Sequence, residues 1–131
     1  MGASSADKIH KDADLDKLKK DLEEDEKKAA AEKDPDKKKK MDEGNASARQ
    51  YYEGIVEAES AVREAPKYHG AELAAISAKE AQEQQAIDNN EKEQKRLIAA
   101  GNPAGAKALQ PAIDLEGQRM LGKKKAKEII S

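Results

Sequence analysis

The sequence has no cysteine, tryptophan, phenylalanine or threonine, and only three tyrosines among its 131 residues. Without cysteine there is no disulfide framework, no thiolate metal site and no cysteine nucleophile. Large aliphatics are also scarce. Ile, Leu and Val together number 18, while alanine alone supplies 24 of the 48 residues of the hydrophobic class. So few β-branched and aromatic residues leave almost nothing to build a sheet from. No apolar run approaches the ~18 residues that cross a bilayer, and no signal-peptide core is evident. Met1-Gly2-Ala3-Ser4-Ser5-Ala6 opens like a myristoylation signal, but Ala6 stands where Ser or Thr is required. Lipidation at Gly2 is therefore not expected.

Charge is what the chain has in quantity. Asp, Glu, Lys and Arg make up 40% of it, and 25 basic against 27 acidic residues nearly cancel. A low content of large apolar residues is a mark of disorder only when net charge is high, so it does not decide the matter here. Ala, Glu, Lys, Gln and Leu are strong helix formers. The expected fold is all-α: a small Ala-rich antiparallel helical bundle or hairpin with a highly charged N-terminal arm, helical or partly disordered. Residues 1–43 hold 26 of the 52 charges. That step in composition divides the chain into the arm (1–43), a bundle of about three helices (44–122) and a basic C-terminal tail (123–131).

Periodicity fills in this outline. Ser4 followed by Asp7 reads as a helix start. Leu15, Leu18 and Leu22 share a helical face, and Ile9 lies off it. Asp34-Pro35 reads as an N-cap and first helical residue. Met41, Gly44, Ala48, Tyr51, Ile55, Ala58, Val62 and Ala65 alternate spacings of 3 and 4, and Tyr52 and Val56 widen that seam. Ser47 with Gln50 resembles a capping box, so this helix is expected to begin between Asn45 and Ser47 and to end at Pro66. Ile76, Ile87 and Ile98 recur every 11 residues along a third helix from about Ala71 to Ala100. Gly101-Asn102-Pro103 stops it. A fourth segment carries Leu109, Ile113 and Met120 on one face, with Pro111, Gly117 and Gly122 weakening it.

Catalytic signatures are missing. Neither His10 nor His69 has a second histidine one turn away, and no Glu-x-x-His occurs at either. There is no phosphate loop, dinucleotide loop or nucleophile elbow. Asp12, Asp14 and Asp16 alternate as at the start of a calcium loop, but Lys17 occupies the glycine position. No catalytic residue, metal ligand or cofactor is therefore assigned. The Lys37, Lys38, Lys39 and Lys40 run and the Lys123, Lys124, Lys125 and Lys127 cluster could contact an anionic surface. Nucleic acid is disfavoured, because no aromatics are interleaved and the isoelectric point is near 5.8.

Val56–Glu83, with its Glu-Ala, Ala-Pro and Ala-Glu-Leu-Ala-Ala elements, resembles the Ala-rich helical domains of some bacterial envelope lipoproteins. Ala61 to Pro66 resembles the close of a tetratricopeptide repeat, without that repeat's preceding aromatic and Gly positions. The leading expectation is a non-enzymatic helical interaction protein (an adaptor, scaffold or assembly subunit) with a protein partner or self-association. Tyr51, Tyr52, Ile55, Val62, Ile76, Ile87 and Ile98 are its candidate contact residues. The lipoprotein resemblance implies a tethered envelope protein with residues 1–43 as stalk. A third reading is an accessory protein that binds nucleic acid or an anionic surface through its lysines, including peripheral membrane contact. Either a cytoplasmic or a periplasmic location fits.

Overall fold

The computed structural model describes residues 4–131; Gly2, considered above for lipidation, lies outside them. Among the described residues six helices follow one another: α1 (Ser5–Asp12), α2 (Leu15–Ala31), α3 (Pro35–Glu64), α4 (His69–Ala99), α5 (Pro103–Ala108) and α6 (Gln110–Ile130). Among the described residues there is no strand.

Local chemistry sets most of the boundaries. The Ser4 hydroxyl accepts the Asp7 N–H at the start of α1. Asp34 accepts the Asp36 and Lys37 N–H groups, with Pro35 in the first turn of α3. Asn102 accepts the Gly105 N–H ahead of α5. Each satisfies a donor that a helix start leaves unpaired. Pro111 falls in the first turn of α6, where it removes no internal hydrogen bond. Gly101 takes a φ of 81° just past α4, the left-handed conformation that ends many helices.

Ion pairs give the relative directions of the helices. Going from Glu26 to His10 to Asp7, the partners on α3 run from Arg49 to Glu59 to Arg63, so α1 and α2 run antiparallel to α3. Arg119 pairs with Glu53 and Lys123 with Glu57 at one constant offset, so α6 runs parallel to α3. Lys127 meets Glu80 and Lys123 meets Glu83, so α4 runs antiparallel to α6. Consecutive long helices therefore alternate in direction, as short connections require.

The main core lies at one end of the bundle. Ala6 and Ile9 of α1, Leu15 of α2, Ile55, Ala58 and Val62 of α3, Ile76 of α4, and Ala126 and Ile130 of α6 form one buried cluster. The central helices α3 and α6 nearly touch there. A Cβ built on Gly54 would overlap the Arg119 carbonyl oxygen, and one built on Gly122 would overlap the Tyr51 carbonyl oxygen. Gly122 thus sets the contact between the two helices, beyond its cost in helix propensity.

The structure differs from the sequence expectations in three places. First, α3 is continuous from Pro35, and the Ser47–Gln50 start is not used. One mid-helix glycine costs only about 1 kcal/mol. Against that, α2 holds this stretch in place through Asn45 Nδ2 donating to the Asp25 carbonyl at 3.1 Å and Arg49 gripping Glu26. Second, residues 123–131 are not a separate tail, because α6 runs to Ile130 and buries Lys123, Ala126 and Ile130. Third, the charged segment is packed. Ile9, Leu15, Leu22 and Ala29 are all buried against the rest of the chain. Ile9 sits off the leucine face because it belongs to a separate helix, and the break between the two falls at Asp14, with φ 53°.

Candidate interaction surface

The structure scatters the seven candidate contact residues. Ile55, Val62 and Ile76 are fully enclosed core residues and cannot meet a partner. Ile87 is half-buried, and Ile98 is 61% exposed. The 11-residue series shares a helical face but not a common burial, because the core cluster meets α4 only near Leu73 and Ile76, and Ile98 stands at the opposite end of that helix. Tyr51 and Tyr52 are half-buried too and, unlike Ile87, pack against the core cluster.

The lysine candidates separate in the same way. Lys123 is 0% exposed, so it is withdrawn as an anionic-surface contact. Its ammonium donates to Glu57 Oε2 at 2.6 Å and to Glu83 Oε1. Arg119 extends this layer to Glu53 and Glu57, each at 2.8 Å, and Lys127 closes it on Glu80 at 2.8 Å. Lys127 is thus also committed inward. Burial pushes the Glu83 carboxyl above its usual range, against the pull of Lys123. Lys38 donates to the Ala29 carbonyl and pairs with Asp42. Lys37, Lys39, Lys40, Lys124 and Lys125 stay exposed. With α3 as a ruler, Lys124 lies level with Ala58, because the offset between α6 and α3 is 66. The two basic clusters are thus some 19 residues of helix apart, roughly 28 Å, and do not form one patch.

His10 occupies a second polar cluster. Its Nδ1 lies 2.7 Å from Glu59 and its Nε2 lies 2.9 Å from Asp16. Hydrogen bonds to Asp16 and then to Glu59 raise its pKa above 6.5. One carboxylate of the apparent calcium series is therefore used to hold a histidine. Among the described residues no group of three or more histidines and carboxylates is placed to hold a metal ion. No helix among them is long and apolar enough to cross a membrane.

What remains is a surface around the tyrosines. A groove of about 400 Å³ is lined by Leu18, Asp21, Leu22 and Asp25 of α2, Ala48, Tyr51 and Tyr52 of α3, and Gln118 of α6. Residues 18, 21, 22 and 25 fall on one helical edge, so α2 offers apolar and acidic groups side by side. A second depression of about 330 Å³ is lined by Tyr51, Gln118, Leu121, Lys124, Lys125 and Glu128. Tyr51 and Gln118 belong to both. Leu121 is 50% exposed and Leu18 is 36% exposed, so two of the four exposed large apolar side chains among the described residues flank the tyrosine pair. Burial, with Glu128 nearby, raises the Tyr51 phenol above its usual pKa.

Comparison with known protein families, with curated proteins and with solved structures finds no match. Sequence reasoning named the tyrosines and missed Leu18, Gln118 and Leu121 as their neighbours. For Leu121 a signal existed: it lies beside the Leu109–Ile113–Met120 face of its own helix and so had no obvious core role. For Leu18 none existed, since it shares its face with Leu15 and Leu22, both buried.

Proposed function

We propose that this chain is a non-enzymatic helical interaction protein, an adaptor, scaffold or assembly subunit, whose contact surface is the groove around Tyr51 and Tyr52. The observation that carries this reading is the pairing of half-buried tyrosines with exposed Leu18 and Leu121 on either side. Tyrosine offers a large apolar ring at low entropy cost and is enriched where binding energy concentrates. A contiguous apolar surface rimmed by charge is the usual appearance of a protein contact.

The test is affinity capture from the organism that makes the protein, with the wild type and a Leu18→Asp/Leu121→Asp variant compared. Both leucines are exposed, so the variant should keep its helical circular dichroism. The expected result is a protein, a second copy of this chain included, retained by the wild type and lost by the variant. Identical retention by both would overturn the reading.

A further inference from the structure

The two depressions that meet at Tyr51 differ in charge. On the α2 side, Leu18 and Leu22 stand with Asp21 and Asp25. On the α6 side, Leu121 stands with Lys124 and Lys125, with Glu128 a turn further on. One edge is apolar and acidic; the other is apolar and basic. Leu18 to Asp25 spans about 10 Å of helix and Gln118 to Glu128 about 15 Å, so the α2 edge fits within the length of the α6 edge. They lie side by side on one face and share Tyr51 and Gln118.

We infer that the occupant of this face is a second copy of the same chain, which forms a two-fold dimer centred near Tyr51. The inference rests on the interaction reading above and adds the identity of the partner. A two-fold contact is self-complementary: whatever one copy presents to the other is presented back. The α6 edge of each copy lies over the α2 groove of its partner, so Lys124 and Lys125 face Asp21 and Asp25 twice. Leu121 then covers the apolar lining beside Tyr52. A different protein would have to supply both a basic and an acidic edge in this arrangement, whereas this chain already carries both. The contact closes on itself, so it yields a dimer and leaves no free edge for a filament.

The test is sedimentation velocity on the full chain from micromolar to submillimolar concentration, with charge-reversed variants. The wild type should sediment as a dimer at the upper end and dissociate on dilution or with added salt. Lys124→Glu/Lys125→Glu should raise the dimer Kd by about tenfold or more, and so should Asp21→Lys/Asp25→Lys, because each places like charges opposite one another at both contacts. All four positions are exposed, so circular dichroism should stay as in the wild type. Mixing the two variants should restore association as a one-to-one heterodimer. A wild type that is monomeric throughout would overturn the inference, as would a dimer indifferent to both reversals or variants that fail to rescue each other. A monomer whose Leu18→Asp/Leu121→Asp variant still loses a captured protein would sink only the second copy and leave the interaction reading in place.

Discussion

Glycines in the long helices have two opposite roles. Gly54 and Gly122 let the backbones of α3 and α6 meet, and an added methyl at either would strike a carbonyl oxygen that cannot swing away. Gly44 faces open space. Gly44→Ala should therefore stabilise the protein by about 0.5–1 kcal/mol, the usual gain for replacing a helical glycine. Gly54→Ala should destabilise it by about 1–3 kcal/mol, the range for overpacking a close contact. Urea unfolding of both variants checks the sign of each. His10 is a second single-residue probe. Its raised pKa means that the folded state holds its proton more tightly than the unfolded chain does. The stabilisation is present in full below pH 6.5 and is lost as pH rises through the elevated folded value. Melting temperature should fall across that window, and His10→Gln should flatten the slope. A slope unchanged in the variant would assign it to other groups.

Among elements, the layer shared by α3, α4 and α6 is the unusual one. Most buried positions there hold alanine or a branched aliphatic, yet Lys123 is enclosed between Glu57 and Glu83. An enclosed pair adds little net stability, since desolvation offsets the attraction, but breaking it leaves an uncompensated charge. Lys123→Met should cost about 3–5 kcal/mol. Lys123→Met with Glu83→Gln should recover a substantial part of that loss, because the most buried orphaned carboxylate is then gone. Chemical denaturation of the two variants decides; equal losses would mean that packing dominates over charge. Helix boundaries were largely legible beforehand. Ser4, Asp34-Pro35, Pro66 and Gly101-Asn102-Pro103 each act through their own backbone neighbours, and their effect needs no distant partner. The start of α3 was misplaced for the same reason. Ser47 and Gln50 form a locally valid cap, and only contact with α2 makes it redundant.

For the whole molecule, the charged third of the chain supplies part of the core. Ile9 and Leu15 belong to the same cluster as Ile55, Val62 and Ile76. A chain with so few large apolar residues cannot lose two of them from its core without consequence. Removal of residues 1–33 should therefore leave the remainder largely unfolded or strongly destabilised, whereas a solvated stalk could be removed with no change. Thermal melts of the full and shortened chains distinguish these outcomes. The candidate surface also belongs to this scale. Leu18, the Tyr51-Tyr52 pair and Leu121 are far apart in sequence and come from three helices. Nothing in the spacing of any one helix marks them as neighbours, and the tyrosines alone were distinctive enough to be singled out.

Composition and periodicity by themselves determined an all-helical protein, its breaks and the absence of recognised catalytic motifs. These follow from backbone propensity and from the chemistry of caps and prolines, which operate over four or five residues. The tertiary structure alone decided that the charged segment packs, that Lys123 is interior, that Gly54 and Gly122 form a crossing, and that an acidic and a basic edge adjoin at Tyr51. Each of these depends on which helices lie side by side. In an alanine-rich chain with one hydrophobic stripe much like another, that choice shows only in the shared core, the close backbone contacts and the long-range ion pairs of the folded chain, which no local pattern records.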